Sequence, residues 1–264
     1  EYGKICGNYS LWSNLTIFWG CGTNLHRSPY NSRNHEYYSE DAVLTSGQAV
    51  AFISGGKEYG VIIAPKHLAF NDTEINRLGV SVFMTEQQAR ENELRGTQAS
   101  IEDAGALGVM TAFNRVGITA TNAHTGLLKN ILRGEWGFKG LESQDFIMNP
   151  NYAVLKEYAL NGGTMTTFTG ENTMAAVSEK FAYWTTENVG QDTELMSAIK
   201  QAMTWQAYAL ANSNALDGMA SSTRLVSVRT WYDNALVAVQ VVFAALTVLA
   251  AAMYVLNDRK SKKQ

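Results

Sequence analysis

The body of this chain has no block of basic residues. Lys and Arg number 21 against 24 Asp and Glu, for a net charge of −3. That balance argues against nucleic acid as a partner, because such binding needs a clustered cationic face. The clustered cations, Arg259, Lys260, Lys262 and Lys263, fall at the C-terminus. Cysteine is scarce, with only Cys6 and Cys21. Their spacing fits no zinc pattern, so no metal site is expected. They could bridge in an oxidising space, but low cysteine usage favours two free thiols. No Gly-x-Gly-x-x-Gly turn and no phosphate-cradling loop follows any strand-like run, so no cofactor is expected. The chain opens on Glu1 with no charged leader ahead of an apolar run. The expectation is that it starts partway through a longer protein.

What is present is a rhythm. At 264 residues the chain can bury one sizeable core. Val61-Ile62-Ile63-Ala64 is a continuous apolar run of the kind a buried parallel strand shows, and it exits into Pro65-Lys66-His67. A short strand at Gly20-Cys21-Gly22 opens onto a polar loop, Ser28 to Thr45, and Gly108 to Asn114 reads as another strand. Helices are expected between them. One runs from about Ser46 to Lys57 and ends at Gly60. A second opens on the capping-box pattern Thr85-Glu86-Gln87-Gln88 and reaches about Asp103. A third shows one face in Leu127, Leu128, Ile131 and Leu132.

The stretch Arg133 to Phe146 then reads as a helix end, a glycine break and a brief strand that delivers Asp145. A carboxylate at a strand's C-terminal end stands where a (β/α) barrel places its chemistry; an Asp capping the next helix is the bland alternative. A helix near Tyr152–Leu160 and a strand at Thr164–Phe168 follow. The alternation implies an α/β fold with a parallel sheet, either barrel or doubly wound. About five strands are too few to close an eight-stranded barrel. From Asp192 to Asn212 an amphipathic helix carries Leu195, Ile199, Met203 and Leu210 as a packing stripe, and Ser213 to about Thr223 reads as a linker.

Ala235 to Leu256 is uncharged and polar only at Gln240 and Thr247. Its length matches the roughly 20 residues that cross a hydrocarbon core. Trp231, Tyr232 and Tyr254 sit at its margins, and the basic tail follows, as the positive-inside bias requires of a cytoplasmic end. A single-pass anchor in the cell membrane is expected, with the strand-rich part extracytoplasmic.

The strand exits also carry a resemblance. The loop from His26 to Asp41, with Arg33-Asn34-His35-Glu36-Tyr37-Tyr38-Ser39-Glu40-Asp41, is similar to a Gly-Arg-Asn-Phe-Glu-x-Tyr-Ser-Glu-Asp phrase. Lys66-His67-Leu68 is similar to Lys-His-Phe, and Val109 to Asn114 to a Met-x-x-Tyr-Asn strand. Gly137-Phe138-Lys139-Gly140 through Asp145 is similar to a Gly-Phe-x-Gly strand ending in Ser/Thr-Asp-Trp. In this order, over about residues 1–175, the motifs resemble glycoside hydrolase family 3, the β-glucosidase type.

The resemblance implies a retaining hydrolase that cleaves terminal β-linked sugars. Asp145 would be the nucleophile; Arg33, Lys66, His67, Met110, Phe113 and Phe146 would bind substrate. The acid/base residue would come from an α/β sandwich domain upstream of Glu1, in an inverted domain order that leaves this fragment inactive alone. Glu74 and Glu142 are in-chain candidates without a motif. Three departures stand out: Phe113 for Tyr, Gln144 for a small hydroxyl residue, and His35 for Phe.

The expected division is residues 1–175 for the C-terminal part of a partial (β/α)8 barrel and 176–212 for a helical closing segment. Residues 213–234 form a juxtamembrane linker, 235–256 the transmembrane helix and 257–264 the cytoplasmic tail. The partners are a β-glucoside or related oligosaccharide, the upstream sandwich and the lipid bilayer. A membrane-anchored carbohydrate-binding protein without turnover is the alternative, and a scaffold with merely solvated loops a third reading. Asn8, Asn14 and Asn71 head glycosylation patterns.

Overall fold

Both faces of the apolar run at Val61–Ala64 are covered, as a strand without polar alternation requires, and each of its residues is at most 1% exposed. The computed structural model describes residues 1–147, 154–167, 184–217 and 229–262. In chain order its strands are β1 (Ile17–Gly22), β2 (Ile62–Leu68), β3 (Ser81–Val82), β4 (Gly108–Thr111), β5 (Arg115–Val116), β6 (Thr119–Ala120) and β7 (Leu141–Gln144). Four of them form a parallel sheet in the order β1-β2-β4-β7. The register sets Lys66 beside Met110 and Met110 beside Ser143. The exits of β2, β4 and β7 therefore stand side by side.

The α-helices of this part are α1 (Tyr2–Trp12), α2 (Ala42–Lys57), α3 (Glu86–Gln88), α4 (Arg95–Glu102), α5 (Leu155–Leu160), α6 (Thr186–Gln191) and α7 (Thr193–Ala211), of which α2, α3 and α4 lie between strands. Ile53, Ile63, Val109, Leu128 and Leu132 meet in one buried core. Burial of each such side chain contributes about 1.5–3 kcal/mol. The stretch before β7 is locked by Arg133. Its guanidinium donates to the carbonyls of Phe138 (3.0 Å), Gly140 (2.8 Å) and Gly162 (2.7 Å) and lies over the Phe138 and Trp205 rings. Gly137 takes φ +60°, and a Cβ on Gly140 would run into the Leu107 carbonyl. Both glycines are therefore demanded by the turn into β7.

Several expectations need correction. Helix α2 starts at Ala42 rather than Ser46, because the Asp41 side chain accepts from the Leu44 N–H (2.7 Å) and caps it early. Strand β1 begins at Ile17, three residues before the expected start at Gly20. The helix from Thr85 is capped as expected, with Gln88 N–H on the Thr85 hydroxyl (3.1 Å). It then passes through a π-helical turn, Ala89–Glu93, before α4. Residues Gly126–Glu135 are π-helical too. Of the strand expected at Thr164–Phe168, the described residues show the bridge of Met165 with Ser143 and a hydrogen bond from the Ile147 N–H to the Thr167 carbonyl (2.9 Å); Phe168 lies outside them. The start of the helix near Tyr152 also lies outside them; α5 is described from Leu155.

On α7 the buried line is Leu195, Ala202 and Ala209, while Met203 is 62% and Leu210 37% exposed. Of the expected stripe, Leu195 is fully buried and Ile199 half-buried, and Ala202 and Ala209 complete the inner line in place of Met203 and Leu210. A second sheet, β3-β5-β6, was not foreseen, because its two-residue strands carry no period. Cys6 and Cys21 are both free, and Cys21 is buried.

The described residues divide into two units, Glu1–Asp217 and Gly218–Gln264. The second contains α8 (Trp231–Ser261), whose segment Trp231–Leu256 is long and apolar enough to cross a membrane; none of it is buried. Its start is capped by Thr230, whose N–H (2.8 Å) and hydroxyl (2.7 Å) donate to Asp233. Within the apolar run the Thr247 hydroxyl donates to the Phe243 carbonyl at 2.8 Å, which satisfies it inside the helix.

Candidate active site

The parallel register brings chemistry from distant parts of the chain to one edge. Lys66 and His67 sit at the C-terminal end of β2, and Asp145 follows β7 directly. Arg33 comes from the loop after β1, held by a short 3-10 turn at Asn34–Glu36. His67 Nε2 lies 3.5 Å from Asp145 Oδ2 and 3.2 Å from Arg33 Nη2. Lys66 Nζ is 3.9 Å from Glu36 Oε2, and Glu36 also pairs with Arg33. Arg33 thus makes the loop-internal ion pair that a purely structural role would give it and still reaches His67. Met110, 6% exposed, lies on β4 between Lys66 and Ser143. Phe146 is 44% exposed beside Asp145.

His67 is 2% exposed, and burial, then the charges of Arg33, Lys66 and Arg77, hold its pKa well below 6.5. A neutral ring carries one proton. Arg33 can only donate, so Nε2 accepts and Nδ1 carries the hydrogen toward the Tyr37 hydroxyl at 3.2 Å. Tyr37 in turn donates to the Asn71 carbonyl (3.3 Å) and accepts from the Asn71 amide (3.1 Å). Asp145 Oδ1 accepts from the Phe146 N–H at 2.8 Å. Burial raises the Asp145 pKa above the ordinary carboxylate value. The Phe146 N–H and the charges of Arg77, Arg33 and Lys66 pull it back.

Sequence reasoning missed Arg77, Tyr37 and Asn71 as members of this network. Arg77 pairs with Glu74 (2.7 Å) and lies 4.2 Å over the Phe113 ring. The available signal was its place just after Asn71-Asp72-Thr73-Glu74. Glu74 Oε1 also accepts from Arg33 (3.3 Å) and the Asn71 amide (2.9 Å), so both its oxygens are engaged. Glu142 is fully buried in β7, beside Tyr158 and Arg133 rather than at the strand exit. Gln144 accepts from Asn122 (2.7 Å) and donates to Thr166 (3.2 Å). The Ser143 hydroxyl is engaged with the Gln144 carbonyl (2.9 Å) and the Thr167 hydroxyl (3.1 Å). Asn71 is 1% exposed, which closes it to glycosylation in the folded chain. Among the described residues no group of His, Cys, Asp and Glu could hold a metal ion.

The chain is an α/β protein with a parallel sheet, and its buried carboxylate and the cations around it stand at the carboxyl ends of the strands, where α/β folds commonly take their ligands. Residues 12–178 match the glycosyl hydrolase family 3 N terminal domain, and the chain belongs to that family. It is 40% identical over 144 residues to a β-glucosidase of Rhizobium radiobacter, covering 54% of this chain and 18% of the relative. To β-glucosidase B of Emericella nidulans it is 39% identical over 122 residues, 46% of this chain and 14% of that one. Its fold is similar to β-glucosidase 3B of Thermotoga neapolitana in complex with α-D-glucose. There the TM-score is 0.73 at 26% identity, covering 82% of this chain and 30% of that chain. The chain thus spans about a fifth or less of the length of these curated relatives.

Proposed function

We propose that the protein to which this chain belongs is a retaining glycoside hydrolase that removes terminal β-linked glucose or a similar sugar. The observation that carries the reading is Asp145 within 3.5 Å of His67, itself 3.2 Å from Arg33, at the strand exits. With Oδ1 held by the Phe146 N–H, Oδ2 is the oxygen free to attack the anomeric carbon. The carbon–oxygen bond to the leaving group breaks as the glycosyl–enzyme ester forms, and water later hydrolyses that ester. Arg33, Lys66 and His67 bind sugar hydroxyls, the arginine and lysine by charge-assisted hydrogen bonds. Phe146 supplies an apolar wall, with Met110 and Phe113 beneath the sugar. Arg77, stacked on Phe113, adds positive charge near Asp145.

The proton for the leaving oxygen comes from a residue outside this chain, on an α/β sandwich domain of the same protein, since Glu74 is held by Arg33 and Arg77 and Glu142 is shut inside β7. The four-stranded sheet is then part of a (β/α)8 barrel. The apolar segment within Trp231–Leu256 anchors the protein in the cell membrane, with the site extracytoplasmic and the basic tail inside. The test is labelling of the full-length protein with a 2-fluoro β-glucoside, followed by peptide mapping. Covalent sugar on Asp145 is expected; label elsewhere, or none with an active protein, removes the assignment.

A second reading, sugar binding without turnover, is favoured by Phe113 lacking a hydroxyl and by Gln144 being held by Asn122. Binding of glucose with no aglycone release by the full-length protein would select it.

A further inference from the structure

His67 is held at both its backbone and its ring by buried residues that the proposed chemistry does not use. The Asn24 carboxamide donates to the His67 carbonyl (3.0 Å) while its oxygen accepts from the His67 N–H (2.8 Å). Asn24 is 1% exposed and stands just past the last β1–β2 pair, Gly22 with Lys66. A side chain thus continues the ladder and fixes where the ring starts. The ring itself meets Tyr37 edge-on, with centroids 6.3 Å apart and planes at 85°. Tyr37 is 5% exposed, and its hydroxyl lies 3.2 Å from Nδ1. Asn71 holds that hydroxyl from the other side. Its amide donates to the phenol oxygen (3.1 Å), and its main-chain carbonyl accepts from it (3.3 Å).

One placement of hydrogens satisfies every group in this chain. A phenol has one hydrogen to give and two lone pairs to receive. Its hydrogen goes to the Asn71 carbonyl and one lone pair takes the Asn71 amide, so the other lone pair needs a hydrogen on Nδ1. At the far side of the ring Arg33 Nη2, 3.2 Å from Nε2, can only donate. Both sides therefore ask for the same tautomer, with Nδ1 protonated and Nε2 bare. The reverse tautomer would set an imidazole N–H against a guanidinium N–H and draw the Tyr37 hydrogen away from Asn71.

The bare nitrogen matters because of what it faces. Nε2 is 3.5 Å from Asp145 Oδ2, the oxygen left free when Oδ1 takes the Phe146 N–H. A proton on Nε2 would be donated to Oδ2 and would occupy the lone pair that has to attack the anomeric carbon. We propose that Tyr37, oriented by Asn71, is a positioning residue that holds the His67 proton on Nδ1 and so keeps the attacking oxygen of Asp145 free of a donor from the ring. Tyr37 acts through His67 and touches no sugar in this role. The consequence for catalysis rests on the nucleophile proposed above, but the tautomer is set by contacts that need no substrate.

The experiment is ¹⁵N NMR of the full chain in detergent micelles, labelled in the histidine rings, with His67 assigned by its loss in His67→Gln. Long-range ¹H–¹⁵N correlations tell a protonated ring nitrogen from a bare one. The wild type is expected to show Nδ1 protonated and Nε2 bare. In Tyr37→Phe the tautomer ratio should move toward Nε2–H by about 10-fold, the effect of one lost hydrogen bond. Protonated Nε2 in the wild type, or an unchanged ratio in a folded Tyr37→Phe, would overturn the proposal. Should the variant fail to fold, cross-relaxation between the Nδ1 proton and the Tyr37 ring protons of the wild type carries the test, and its absence overturns it. Failure of Asp145 to take up label would sink the hydrolase reading and leave the tautomer result untouched.

Discussion

Glu142 and Asp145 stand three positions apart on one strand and its exit, yet the fold treats them oppositely. Glu142 is fully enclosed, with neither carboxyl oxygen in good hydrogen-bond geometry, and burial pushes it up to about 7 against the pull of Tyr158 and Arg133. Asp145, 9% exposed, keeps one oxygen on the Phe146 N–H and turns the other to His67, amid three cationic side chains. The lesson is that residue type alone does not fit a carboxylate for the role proposed for Asp145. Position along the strand does, because the middle of a covered strand offers only packing while its exit offers loops from several neighbours.

The comparison breaks most sharply if Asp145→Asn in the full-length protein keeps its activity. Release of nitrophenol from an aryl β-glucoside should fall at least about 10³-fold, as loss of a nucleophile does. The next largest effect falls on the strand that presents both carboxylates. Arg133→Ala strips donors from the Phe138, Gly140 and Gly162 carbonyls and should cost about 3 kcal/mol in urea unfolding.

Glu142 itself sharpens the contrast. Its folded pKa of about 7 exceeds the ordinary 4.5, so the fold prefers the neutral acid. Its contribution is complete below about pH 4.5, is lost as pH rises to about 7, and then stays flat. Glu142→Gln should therefore raise stability at pH 7.5 by up to about 3 kcal/mol. The wild-type and variant unfolding curves should converge near pH 4. If they differ equally at both pH values, Glu142 is not a buried neutral acid.

The smallest expected change is Phe113→Tyr. A hydroxyl near Asp145, the proposed nucleophile, is worth one hydrogen bond, so kcat/KM should rise by about 10-fold or less. An unchanged value would mean that Arg77, stacked on that ring, already supplies the stabilisation.

Much of the frame was legible because its signals are local. The apolar run at Val61–Ala64 can only be a covered strand, and β2 lies there, though it extends to Leu68. The glycines around Phe138 announce a tight turn, and β7 follows them. Legibility fails where contacts decide. The line Leu195, Ile199, Met203 and Leu210 looks like a packing face, but of these only Leu195 is fully buried, and Ala202 and Ala209 complete the line that packs. A helix wheel reveals the buried face Leu127, Leu128 and Leu132, but not that Gly126–Glu135 or Ala89–Glu93 winds as a π-helix. Arg77 and Tyr37 look like ordinary loop residues until the network joins them.

By itself the sequence determined the alternation of strand and helix, the polar residues at each strand exit and one long uncharged apolar segment. Each follows from neighbours along the chain, through side-chain size, hydration and turn geometry. Only the tertiary structure decided which exits meet, that His67 is neutral between Tyr37 and Arg33, and that Glu142 is shut away while Asp145 faces the cations. Those outcomes depend on the register between strands and on how deeply each charge is removed from water, and neither is written in any one stretch of residues.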